Sequence, residues 1–110
     1  MADVIFLTGG TGFLGIELAA GLIRCPAAEK IYVLVRAADA EEASSRLRAV
    51  WYHDQALYEA VGGRIIPVPG DFTMPGLGLG DGMRQEITET VSLVIHAGAE
   101  VRFSKNKKRF

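Results

Sequence analysis

The 110 residues contain a single cysteine, Cys25, so an internal disulfide is excluded and no cysteine framework for zinc exists. A reducing, intracellular and cytoplasmic setting is the expectation on that ground. Charge of one sign is equally scarce. Twelve Lys and Arg stand against thirteen Asp and Glu, a formal net charge of −1, which gives no global argument for a nucleic acid or an anionic membrane as partner. Long hydrophobic runs are missing too. The start, Met1-Ala2-Asp3, lacks a basic segment, and the apolar run Val4 to Leu7 is too short for a secretion signal. No stretch reaches the roughly 18 apolar residues of a membrane span. No internal repeat is visible.

What is present is an alternation. Val4-Ile5-Phe6-Leu7 is a short β-rich run that stops at glycines and reads as a strand buried on both faces. Phe13, Leu14, Leu18, Leu22 and Ile23 then recur near helical spacing, predicting a helix from about Gly12 to Arg24, ended by Pro26. Ile31-Tyr32-Val33-Leu34-Val35 is a second buried strand. From about Ala40 to Val61, the stripe Ala43, Leu47, Val50, Trp51, Leu57, Tyr58 and Val61 predicts one helix closed by Gly62-Gly63. Trp51 and Tyr58 are expected in the core, His53 on the solvent side, and Cys25 as a small buried residue beside Pro26. Ile65-Ile66-Pro67-Val68 is a third strand. Because Pro67 cannot donate to a ladder, that strand is expected at a sheet edge. Residues 70–82 read as a loop, 83–89 as a short helix with Asp81 as candidate cap, and 91–96 as a fourth strand.

Strands alternating with helices predict an α/β doubly wound parallel sheet of the Rossmann type, here partial. Right-handed crossovers and an edge third strand give the order 3-2-1-4. Residues 1–103 are expected to form the dinucleotide-binding domain. Residues 104–110, Ser104-Lys105-Asn106-Lys107-Lys108-Arg109-Phe110, are expected to be a solvated basic tail.

The segment Thr8-Gly9-Gly10-Thr11-Gly12-Phe13-Leu14-Gly15 lies between the first strand and the first helix. Its G-x-x-G-x-x-G spacing divides the work. Gly9 permits the turn, Gly12 lets backbone approach a pyrophosphate, and Gly15 allows close helix packing. The helix N-terminus then offers free N–H groups and a partial positive charge. No Gly-Lys-Ser/Thr follows, so a Walker loop is excluded. The alternative is a glycine-rich turn with no ligand. At the end of the second strand, where an NAD site carries an acid for the ribose 2′-hydroxyl, stands Arg36. A guanidinium suits a 2′-phosphate, so NADP(H) is favoured over NAD(H). Asp39, three residues on, could serve an NAD ribose through a different turn, and Arg36 could be a solvated surface charge.

The glycine segment resembles the fingerprint of extended short-chain dehydrogenases/reductases. With Val33-Leu34-Val35-Arg36, Gly70-Asp71-Phe72, Leu77-Gly78-Leu79 and Val94-Ile95-His96-Ala97-Gly98-Ala99-Glu100-Val101, positions 3–103 resemble the thioester reductase family. That family includes terminal reductase domains of carboxylic acid reductases and nonribosomal peptide synthetases, and fatty acyl-CoA reductases. The resemblance implies NADPH-dependent reduction of a carrier- or CoA-bound acyl thioester to an aldehyde or alcohol. It implies that Thr8 and residues Gly9 to Gly15 hold the pyrophosphate and that Arg36 meets the 2′-phosphate. Asp71 and Phe72 would flank the adenine, and His96, Ala97, Gly98 and Ala99 would line the nicotinamide ribose. Asp71 could instead be a turn residue, and His96 a packed, hydrogen-bonded core histidine.

The family's Tyr-x-x-x-Lys pair is absent here. Tyr32, Tyr52 and Tyr58 are followed four residues on by Arg36, Ala56 and Gly62. No catalytic residue is therefore assigned, and the chain alone is not expected to reduce a thioester by the family's mechanism. A non-catalytic nucleotide-binding or interaction module stands as the second reading, and a fragment of a sugar-nucleotide epimerase or dehydratase as the third. An open apolar edge on the fourth strand, at Val91, Leu93 and Ile95, is expected to be a pairing liability.

Overall fold

Alternate residues of a strand face opposite sides, so a run that is apolar throughout needs cover on both. The computed structural model, which describes residues 3–71 and 73–97 and only the backbone of Phe13, supplies that cover. The elements are β1 (Asp3–Thr8), α1 (Phe13–Ile23), β2 (Ala28–Arg36), α2 (Ala40–Trp51), α3 (Gln55–Ala60), β3 (Ile65–Gly70), a 3₁₀ turn (Pro75–Gly78), α4 (Asp81–Thr90) and β4 (Leu93–His96). All four strands are parallel, in the order β3-β2-β1-β4. Pro67 does sit on an edge strand, paired with Val33 of β2. The expected behaviour of residues 104–110 falls outside the described residues.

One face of the sheet presents Ile5, Leu7, Ile31, Val33, Val35 and Ile65. It packs on Ala19 of α1, Ala43, Leu47 and Trp51 of α2, and Leu57 of α3. The other presents Phe6, Tyr32, Leu34 and Val68 beneath Leu77, Leu79, Met83 and Ile87. The buried Tyr32 hydroxyl donates to the Glu86 carboxylate and ties α4 to the sheet. At the end of the sheet where β2 and β3 begin, Arg64 gathers carbonyls from the end of α1, the turn after it and the start of β2. Its Nη1 donates to Ile23 O at 2.8 Å, its Nη2 to Cys25 O at 2.6 Å and its Nε to Ala28 O at 2.8 Å.

Four sequence expectations change. The single helix over 40–61 is two helices. Asp54 accepts from the Leu57 N–H at 3.2 Å and starts α3, a local bond that competes with continuing α2. The break turns Leu57 into the core and Tyr58 outward, 43% exposed instead of buried, and leaves His53 in the exposed connection rather than on a helix. Cys25 is exposed, because the tight turn between α1 and β2 uses its backbone and not its side chain. Asp81 is the first residue of α4, and Gly80 precedes it without a side-chain cap. Finally, Val91 ends α4 and packs in the second apolar layer, and Ile95 packs toward the first. The open edge is instead made by Leu93 and Val94, 45% and 49% exposed.

Candidate functional site

The carboxyl ends of parallel strands, where a topological switch opens a crevice, are where α/β sheets bind ligands. Here β1, β2 and β3 end at Thr8, Arg36 and Gly70, and the glycine segment leaves β1 between its neighbours. Gly9 has φ of 78°, a conformation that favours glycine. A Cβ on Gly15 would overlap the Gly9 carbonyl oxygen, so this position lets the turn close on itself and not simply the helix approach the sheet. Gly12 donates its N–H to Gly9 O at 3.1 Å and is the N-cap of α1.

Helix capping separates α1 from its neighbours. Asp39 and Asp54 cap α2 and α3 through their carboxylates, whereas no side chain caps α1. No acidic residue lies in its first turn either. Orphan N–H groups and positive dipole at that end suit an anion. Capping also accounts for Asp39. Its Oδ1 accepts from the Glu42 N–H at 2.8 Å and so starts α2.

The structure brings the glycine turn and the second-strand arginine together. A cleft of about 110 Å³ is lined by Gly9, Thr11, Leu34, Arg36, Asp71 and Thr73. Arg36 Nε lies 3.5 Å from Asp71 Oδ2, the arginine side chain 78% exposed and the aspartate 19%. Asp71 is a turn residue as well. Its Oδ1 accepts from the Thr73 N–H at 3.0 Å and from the Thr73 hydroxyl at 2.6 Å. Those two bonds, and then the Arg36 charge, hold its carboxyl below the usual carboxylate range.

His96 ends β4 beside β1. Its Nδ1 shares a 3.0 Å hydrogen bond with the buried Thr8 hydroxyl, and burial lowers its pKa below the ordinary imidazole value. The hydrogen bond expected of a packed histidine is thus present, on a side chain that is partly buried. Ala97 continues the backbone by donating to Thr8 O at 3.0 Å. Leu14, on the first turn of α1, is exposed. Phe72, Gly98 and Ala99 lie outside the described residues, as does the side chain of Phe13.

Two residues at the site escaped the sequence. Trp51 donates its Nε1–H to Gly10 O at 3.0 Å, so the core helix α2 also holds the glycine turn. Its place on the apolar stripe announced burial, and nothing in the pattern announced the bond. Arg46 lines the same recess as Thr11, Arg36 and Val50, about 350 Å³ in volume, and pairs with Glu42 at 2.9 Å. Glu42 in turn accepts from the Ala38 N–H at 2.7 Å. That bond first, and Arg46 second, depress the Glu42 carboxyl. Arg48, two residues away, turns instead to Val61 O. The i, i+4 spacing of Glu42 and Arg46 hinted at a pair, but not at which wall of the recess it would face.

Known proteins resemble this chain in sequence and in fold. A family model, NAD_binding_4, described as male sterility protein, matches residues 7–110. The chain is 44% identical over 97 residues to a linear gramicidin synthase of Brevibacillus parabrevis, covering 88% of this chain and 2% of that protein. It is 33% identical over 109 residues to the fatty acyl-CoA reductase wat of Drosophila melanogaster, covering 94% of this chain and 21% of that protein. Among solved structures, the reductase domain of a nonribosomal peptide synthetase from Mycobacterium tuberculosis superposes with a TM-score of 0.79 at 32% identity. That match covers 92% of this chain and 25% of that one. The chain thus spans a quarter or less of these relatives' own lengths. With the match running through the glycine turn, Arg36, Asp71 and His96, the chain belongs to the male sterility protein family of NAD-binding domains.

Proposed function

We propose that this chain binds NADP(H) across the ends of β1, β2 and β3, as the cofactor-holding portion of a reductase acting on carrier- or CoA-bound acyl thioesters. The observation that carries the reading is the closed glycine turn, leading into the uncapped α1 and sharing one cleft with Arg36 and Asp71. Residues Thr8 to Gly15 frame the pyrophosphate, with the α1 N–H groups facing it. Arg36 and Arg46 flank the 2′-phosphate, each already held by a carboxylate, Asp71 and Glu42. Asp71 borders the adenine, with Phe72 as its neighbour in sequence. His96, Ala97, Gly98 and Ala99 border the nicotinamide ribose. The bound cofactor would supply hydride. The protein's part is to bind and orient it. A cytoplasmic location follows from this reading of an NADPH-dependent reductase.

A non-catalytic, nucleotide-binding reading for these residues alone is favoured by one observation: no tyrosine here is followed four positions later by lysine. The two readings share the cofactor site and differ in the turnover expected of the chain.

A thermal-shift titration with NADPH and, separately, NADH tests the shared site. Saturation at about 100 Kd adds about 2.7 kcal/mol of stability. A shift with NADPH that exceeds the shift with NADH and shrinks in Arg36→Ala supports the assignment. Equal shifts with both cofactors remove the 2′-phosphate from it, and no shift with either removes the dinucleotide.

A further inference from the structure

We propose that Leu77 is a positioning residue for the adenosine end of the site, acting through the backbone of Asp71. The inference rests on the adenosine 2′-phosphate assignment given above. Gly76, Leu77 and Gly78 follow one another at φ of 63°, 61° and 66°, and Leu77 is the one non-glycine residue with positive φ among the described residues. A leucine in this region is strained, and it persists only where its surroundings over-determine it.

Two contacts do so. The Leu77 side chain packs with Leu79 against the apolar layer of Phe6, Tyr32, Leu34 and Val68. Its carbonyl, turned back by the left-handed backbone, accepts from the Asp71 N–H at 2.7 Å. The Asp71 carbonyl accepts in turn from the Met74 N–H at 3.0 Å, and Met74 O accepts from the Leu77 N–H at 3.0 Å. Asp71 is thus held at both backbone polar groups by one closed loop. Gly78 lies flat against it, since a Cβ there would come within 3.0 Å of Asp71 N and 3.5 Å of Asp71 Cβ.

The carboxylate so fixed is the one that faces Arg36 at 3.5 Å, and Gly78 lines the same cleft as Arg36, Arg46 and Asp71. Glycine or asparagine at position 77 would make the turn at lower strain. Leucine adds an apolar anchor that transmits the position of the sheet layer to the Asp71 backbone. The Asp71 half of the pair is therefore preset before any ligand arrives.

The test uses the chain with three substitutions. Leu77→Met keeps the anchor and tolerates the backbone. Leu77→Val keeps apolarity, but its branched Cβ opposes positive φ. Gly78→Ala presses a methyl group on Asp71. Calorimetric titration with adenosine 2′,5′-bisphosphate, NADPH and NADH is run well below the melting point of the least stable variant. Leu77→Met should stay within about twofold of the parent. Leu77→Val and Gly78→Ala should each weaken adenosine 2′,5′-bisphosphate about tenfold and lower the ratio of NADPH to NADH affinity. Lowered melting points with affinities and ratio unchanged would make Leu77 a fold residue only and overturn the inference. A parent chain that binds none of the three ligands overturns the function and the inference together. A parent that binds while all variants bind equally overturns the inference alone.

Discussion

The two faces of this sheet are finished to different degrees. On the face covered by α1, α2 and α3, Leu7, Ile31, Val33, Ala43, Leu47, Trp51, Leu57 and Ile65 are all fully buried. On the face covered by α4 and the 3₁₀ turn, the buried apolar cluster among the described residues is Phe6, Tyr32, Leu34 and Val68, and α4 contributes no buried residue of its own. β4 adds half-exposed Leu93 and Val94 beside an apolar groove of about 590 Å³ that also includes Leu79 and Ile87. The candidate site leans on both faces but unequally. Its glycine turn hangs from Trp51 on the dense side, and its Asp71–Leu77 loop rests on the thin one.

The contrast makes Trp51 the residue whose loss should cost most. Trp51→Ala removes a fully buried aromatic side chain and should destabilise the chain by about 4 kcal/mol in urea unfolding. Trp51→Phe sharpens the point. It keeps most of the packing while leaving Gly10 O without its donor, so a cost of about 1.5 kcal/mol and weaker NADPH binding are expected together. If binding is unchanged, the dense face does not hold the glycine turn.

Arg64 belongs to the dense half too, but sits at the opposite end of the sheet from the site. Arg64→Met should cost about 2 kcal/mol, because its carbonyl partners at Ile23, Cys25 and Ala28 lose charge-assisted bonds. NADPH affinity measured at low temperature should stay within about twofold. A selective loss of affinity would mean that the two ends of the sheet are coupled.

On the thin side, Leu93→Lys should change stability by about 0.5 kcal/mol or less while lowering aggregation seen by light scattering, since the side chain is already half in water. A loss of several kcal/mol would mean that the β4 edge is covered in solution.

The smallest effect concerns His96, between the two faces at the end of β4. Burial lowers its folded pKa, so as pH falls the unfolded chain takes up a proton first. Its contribution is complete above the ordinary value of about 6.5 and declines as pH falls from there through the lowered folded value. Denaturation midpoints across that interval should slope less in His96→Gln than in the parent. Asp71 and Glu42, with depressed carboxyls, act at lower pH, where their contributions are lost as they protonate.

Much of this was legible in the residues. The runs Val4 to Leu7 and Ile31 to Val35, the glycine spacing and Pro67 specify parallel strands, the turn and the edge, because local periodicity and backbone restriction are short-range properties. Arg36 stands out from its place at the end of the second strand, and Asp71 from the family resemblance; the two lie 3.5 Å apart. The break at Asp54 is not legible in the pattern, because an apolar stripe can continue in register across a capped interruption. The exposure of Cys25 is not legible either, because side-chain polarity does not reveal which way a tight turn faces.

By itself, then, the sequence determined the α/β alternation, the strand order and the glycine turn, since each follows from patterns a few residues long and from chain handedness. Only tertiary structure decided that Trp51 donates to Gly10, that Arg46 rather than Arg48 faces the recess, and that Leu77 adopts a left-handed backbone to hold Asp71. Each depends on groups at least six residues apart meeting in a fixed orientation, which packing of the helices and loop on the sheet provides and local propensity does not.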